Sequence, residues 1–150
     1  VRFEPTPWVA PVDPSGFARA VARFVAGVVR IPGLRRVLLL PVIARPGYWL
    51  ATVVAFLWGC LLLGHWGRRG GLYSFIGLPR WAFGRGGTTI GAIYLTNDTT
   101  GESVLEHERV HTRQWKKYGL CFVPLYIAAG ANARGNRFEV EAGLEKGGYA

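Results

Sequence analysis

Residues 48–66 (YWLATVVAFLWGCLLLGHW) carry no charge and have aromatic side chains at both ends. A run of about 20 apolar residues matches the hydrocarbon thickness of a bilayer, and aromatic residues favour its two interfaces. Arg45 precedes the run, and Arg68 and Arg69 follow it. A helix apolar all round needs protein on every side to be a core helix, and a chain of 150 residues offers little. The run therefore predicts one transmembrane helix. It divides the chain into a proline-rich arm and membrane-interface segment (1–46), the span (47–67) and a small domain (68–150).

The flanks fit that division. Residues 1–14 contain four prolines and Trp8, so they form no continuous helix and are expected to lie against their own domain or a partner subunit. Ser15 is a ready N-cap for a helix from Gly16 to Arg30. Arg19, Arg23 and Arg30 share one stripe of that helix, and Phe17, Val21, Phe24 and Val28 lie opposite. A helix cationic on one side and apolar on the other suits the plane of a membrane interface. Residues 34–44 are apolar but too short to span, and Pro41 interrupts them.

The net charge is +9, but the basic residues flank apolar runs rather than form one patch. That arrangement points to the lipid bilayer with its anionic headgroups and away from nucleic acid. The bias to arginine, alanine, glycine and valine suggests a bacterial cytoplasmic membrane. Arginines stand in equal number before and after the span (30, 35, 36 and 45; 68, 69, 80 and 85), so the sequence sets no sidedness. Cys60 and Cys121 fall in separate apolar runs and read as buried free thiols.

Past the span, residues 67–87 read as a loop rich in glycine and arginine, with turns at Gly70-Gly71 and Gly86-Gly87. Pro79, Trp81 and Phe83 offer interfacial anchors within it. Residues 88–96 (TTIGAIYLT) read as the clearest strand. Glu102–Tyr118 reads as a helix ended by Gly119. Residues 120–133 are apolar again but hold Pro124, and should pack beside the site or dip into the interface.

The chemistry sits on the helix that begins at Glu102. His107-Glu108-Arg109-Val110-His111 is an H-E-x-x-H string, and it takes two of the three histidines in the chain. Four residues apart on a helix, His107 and His111 share a face and can hold one Zn²⁺, with Glu108 beside them as a base. A catalytic zinc site needs a third protein ligand and an open position. Downstream, Glu139, Glu141 and Glu145 could each supply it from a second helix joined through residues 119–135. Such a site would carry one net positive charge and bring a bound water's pKa towards about 7, with Glu108 moving its proton to a leaving amine. His65, at the end of the span, reads as an interfacial polar tip outside the site. Tyr118, Tyr149 and Arg137 are candidates for steadying an oxyanion.

HERVHTRQW followed by NRFEVEAG resembles the zincin metallopeptidases of the gluzincin group. More narrowly, it resembles small bacterial membrane proteins with H-E-x-x-H-x-x-Q and a trailing N-x-F-E-x-E-A. The resemblance covers roughly residues 84–146. Together with the reading of residues 15–67, it gives a mainly α membrane protein with an amphipathic interfacial helix and one transmembrane helix. These lead into a small α+β zincin-like domain that holds one strand or hairpin and the HExxH helix. It implies Zn²⁺ held by His107, His111 and Glu141, with Glu139 the runner-up, and Glu108 as catalytic base of a membrane-anchored peptidase. Residues 88–96 then correspond to the edge strand on which an extended peptide lies. The related CAAX-processing and heat-shock peptidases place an aspartate two residues past the ligand, where this chain has Gly143. That difference, with the proline-rich arm, keeps a second reading open. In it the chain is a non-catalytic accessory subunit of a larger bacterial membrane complex, energy-transducing or transport, meeting its partners through residues 1–14 and the transmembrane helix.

Overall fold

A computed structural model describes residues 15–149; the expectation of a docked proline-rich arm falls outside them. The described chain is helix-rich with one small mixed sheet. Helix α1 (Gly16–Arg30) starts where expected, with the Ser15 hydroxyl accepting from the Ala18 N–H at 3.1 Å. Its inner face carries buried Ala18 and half-buried Val21, Val25 and Val28, and α1 packs on α5 (Phe122–Ala128). Phe17 and Phe24, expected on one apolar face with Val21 and Val28, are 68% and 66% exposed. A short turn of helix, α2 (Leu34–Leu38), follows.

The long apolar helix, α3, spans Pro41–Leu61, seven residues earlier than the sequence pattern suggested. Pro41 opens it rather than interrupting a segment, because the first helical position needs no backbone donor. At the other end His65 and Trp66 leave the helix for strand β1 (His65–Arg69). One stripe of α3 is small and buried: Ala44, Gly47, Ala51, Ala55 and Gly59, with Tyr48. A Cβ on Gly59 would sit 2.3 Å from the Phe75 ring, and one on Gly47 2.7 Å from the Leu120 nitrogen. The small residues therefore let α3 lie directly on strand β2 (Leu72–Ile76) and on the segment that follows helix α4 (Glu102–Tyr118). Its other face exposes Trp49, Leu50, Val53, Val54, Leu57 and Leu61. Cys60 is exposed on α3 and Cys121 half-buried, so neither is the buried thiol expected from apolar neighbours.

Residues expected to be loop form a hairpin. Strand β1 pairs antiparallel with β2 (Leu72–Ile76) across Gly70-Gly71, both at positive φ, the backbone that a two-residue hairpin turn demands. The run 88–96 is a second hairpin, β3 (Gly87–Ile90) and β4 (Ile93–Thr96), turned at Gly91-Ala92. Sheet order is β1-β2-β4-β3, with β2 and β4 parallel, so β3 is an edge. Helix α3 covers one face of the sheet through Ala55, Phe75, Ile93 and Leu95. Helix α4 (Glu102–Tyr118) meets the sheet at a second cluster, Leu72, Tyr94 and Leu105. A third cluster joins Tyr48 and Ala51 of α3 to Trp115, Phe122 and Phe138. It seats α4 and α5 beside the last helix, α6 (Arg137–Ala142).

Candidate metal centre

The inner side of α4 is unusual for a packed helix. With Leu105 and Trp115 it buries His107, Glu108, His111 and Gln114. Burying polar groups costs several kcal/mol each unless they are partnered, so four on one helix mark a built site.

Both imidazoles are held by their outer nitrogen. His107 Nδ1 lies 3.0 Å from the Gly143 carbonyl, and His111 Nδ1 lies 2.8 Å from Gln114 Oε1. A carbonyl oxygen only accepts, so each Nδ1 carries the hydrogen. The Gln114 amide is itself oriented, since its Nε2 donates to the Phe138 carbonyl and to Glu141 Oε2. In each neutral ring the lone pair is then on Nε2, and both point inward.

Helix α6 brings the third group. The Asn136 side chain caps it by accepting from the Phe138 N–H, and donates to the Gly130 and Tyr126 carbonyls, which ties the helix start to the end of α5. Glu139, 3% exposed, sets Oε2 at 3.0 Å from His107 Nε2 and 3.6 Å from His111 Nε2. The two Nε2 atoms are 3.0 Å apart. Glu141, the ligand implied by the resemblance, is not in this group: it is exposed and accepts from Gln114. The two glutamates are about 160° apart around the helix, so Glu139 enters the group while Glu141 reaches only the Gln114 amide at its flank.

Three inward lone pairs at this spacing repel unless a cation lies among them. Tetrahedral zinc with bonds of 2.0–2.2 Å sets its ligands roughly 3.3 Å apart, close to the three distances here. Glu139 Oε2 is buried without a hydrogen-bond donor, which a metal would satisfy. His107, His111 and Glu139 therefore form a buried group that could hold a metal ion. The protonation equilibria agree. Burial would raise the Glu139 carboxyl, yet His107 and His111, when protonated, hold it well below the usual carboxylate range. Burial lowers His111, but the Glu139 and Glu108 carboxylates more than reverse this and raise it. The centre draws positive charge.

The open side is a cavity of about 410 Å³ lined by Glu108, His111 and Glu139 and walled by edge strand β3. Glu108 Oε2 accepts from the Thr89 hydroxyl at 2.6 Å, which ties α4 to β3 at the cavity wall. Burial raises the Glu108 carboxyl, with the two histidines and Thr89 opposing. Trp115 Nε1 donates to the Thr89 carbonyl at 2.8 Å and fixes the same strand from below.

Of the residues considered for an oxyanion, Tyr149 lines this cavity, whereas Tyr118 and Arg137 line a different one. Tyr126 and Arg85 were not read from the sequence. The Tyr126 hydroxyl donates to Glu139 Oε1, and the Arg85 guanidinium lies 4.9 Å over the Tyr149 ring and donates to the Ala131 carbonyl. Neither sits in a motif, and only tertiary packing brings them in. His65 lies in β1, away from the centre. No family model, curated protein or solved structure is found to match the chain.

Proposed function

We propose that the chain is a membrane-anchored zinc metallopeptidase that cleaves peptide bonds in a segment laid along β3. The observation that carries this reading is the convergence of His107 Nε2, His111 Nε2 and Glu139 Oε2, with Glu108 on the adjoining cavity wall. The ligand set of two histidines and one glutamate, with a fourth side left open, is that of hydrolytic rather than structural zinc. When bound, the metal supplies Lewis acidity to a scissile carbonyl and acidifies water. Glu108 holds and transfers the proton: Thr89 orients one carboxylate oxygen and leaves the other for the reacting groups. Gly143 and Gln114 hold the imidazoles by their outer nitrogens, the role an aspartate past the ligand plays in the resembling peptidases. Among the described residues strand β3 has a partner only on its β4 side, so its outer edge can take an extended backbone.

The test is metal analysis together with hydrolysis of a peptide library by the detergent-purified chain. Zinc near one per chain is expected. Glu108→Gln should keep the metal and lower the rate by about two to four orders of magnitude. Wild-type protein that binds no zinc sinks the reading.

The broad exposed face of α3 favours a second reading, an accessory subunit that keeps the scaffold and buries that face on a partner. It predicts zinc binding with no hydrolysis, and assembly insensitive to Glu108→Gln.

A further inference from the structure

Helix α5 carries Phe122 and Tyr126 one turn apart, so both rings lie on one face. The Phe122 ring meets Trp115 and Phe138 at centroid distances of 5.1 and 5.0 Å. The Tyr126 ring stacks on Phe138 at 6.1 Å and 24°, and the His111 ring meets it edge-on at 6.3 Å. Phe138 directly precedes Glu139 on α6, so the contact that seats the phenol also fixes the carboxylate beside it. Held in this way, the phenol hydroxyl donates to Glu139 Oε1, while Glu139 Oε2 is the oxygen set against the two imidazole Nε2 atoms. The two oxygens of one carboxylate therefore face different partners.

A carboxylate binds a metal through one oxygen or through both, and the choice sets how many positions remain for water and substrate. A hydroxyl donor occupies lone pairs of the oxygen it meets and, with a charged acceptor, forms one of the stronger hydrogen bonds. We infer that Tyr126 is a positioning residue that makes Glu139 a one-oxygen ligand, which keeps the metal at three protein bonds and its cavity side open. With the hydroxyl removed, Oε1 loses the donor that holds it, and closure onto the metal replaces the lost bond. This inference rests on the metal site of the preceding reading and not on hydrolysis.

The experiment loads the full, detergent-purified chain with Co²⁺, whose visible absorption is intense in four-coordinate sites and weak in five-coordinate ones, and measures Zn²⁺ stoichiometry in parallel. Wild type should give the intense spectrum. Tyr126→Phe, which keeps the ring and its packing, should still hold one metal per chain and lose that absorption several-fold as Oε1 enters. Tyr118→Phe is the control, because its ring also packs on Phe122 and Phe138 while the residue lines a different cavity. Its spectrum should match the wild type. A Tyr126→Phe spectrum equal to that of wild type, or the weak spectrum already in the wild type, would overturn the proposal. So would the same loss in Tyr118→Phe, which would trace the effect to packing, or a Tyr126→Phe chain that takes up no metal. Wild type that binds neither ion overturns this inference together with the metallopeptidase reading, whereas an unchanged Tyr126→Phe spectrum on a metal-binding chain overturns this inference alone.

Discussion

Glu139 and Glu141 show what a single side chain decides here. Phe138 and Ala142 define the buried stripe of α6, and the two glutamates lie about 80° on either side of it. Helical phase therefore cannot choose between them; the direction in which α6 crosses α4 does. Glu139→Ala should abolish stoichiometric zinc binding. Glu141→Ala should keep the metal and weaken its affinity by about 10- to 100-fold, because Glu141 acts only through Gln114 on His111. Zinc titration of both variants checks this, and equal loss in the two would contradict it. A second residue links pH to stability. Tyr94 is fully buried, its hydroxyl donating to the Thr99 carbonyl at 2.9 Å, and burial pushes the phenol up to about 12. The unfolded chain loses that proton near pH 10, so above this pH ionisation favours the unfolded state. Stability is intact below pH 10 and falls by about 2 kcal/mol between pH 10 and 12. Denaturant titrations at pH 9 and 11.5 measure the drop, and Tyr94→Phe should shrink it.

At the scale of elements, what was legible in the sequence depended on whether the signal was local. Ser15 starts α1 and Gly119 ends α4 because a cap is a contact within a few residues. Pro41 misled because proline opens a helix as readily as it breaks one, and only the residues after it decide. The β1–β2 hairpin was missed although Gly70-Gly71 marked its turn. His65, Gly67, Arg68 and Arg69 do not alternate apolar with polar, and β1 holds its place by pairing with β2 rather than by its own pattern. The crossing of α3 over the end of α4 is likewise invisible in one dimension. Gly119 has φ +55° there, and a Cβ on it would lie 2.3 Å from the Ala44 carbonyl oxygen. Gly119→Ala should cost about 2 to 5 kcal/mol, from left-handed strain and overpacking together. Gly27, inside α1 with no described residue within 4 Å of its missing Cβ, is the control. Gly27→Ala should stabilise by up to about 1 kcal/mol. Thermal melts of the two variants, moving in opposite directions, check both.

At the scale of the molecule, α3 carries two interfaces on one helix. Its stripe of small residues touches the sheet and α4, and its large apolar residues are exposed among the described residues. A soluble domain has no reason to keep such a face bare, since contiguous exposed apolar patches mark contact with a membrane or another protein. In the membrane reading, the metal centre sits beside the span rather than on a stalk beyond it, because Tyr48 and Ala51 share a core cluster with Trp115 of α4. Val54, 55% exposed near the middle of α3, separates the alternatives. If α3 spans the bilayer, Val54→Arg places a charge in hydrocarbon at a cost of about 3 kcal/mol. Recovery in carbonate-washed membranes should then fall while the protein's mRNA is unchanged. If Val54 faces water, the same change is neutral within about 0.5 kcal/mol, and the wild type itself leaves the membrane pellet on carbonate washing. If α3 instead rests on a partner subunit, Val54→Arg should release the chain from its complex and leave its zinc content intact. Membrane recovery, complex size and metal content measured on one pair of proteins therefore assign the outer face of α3.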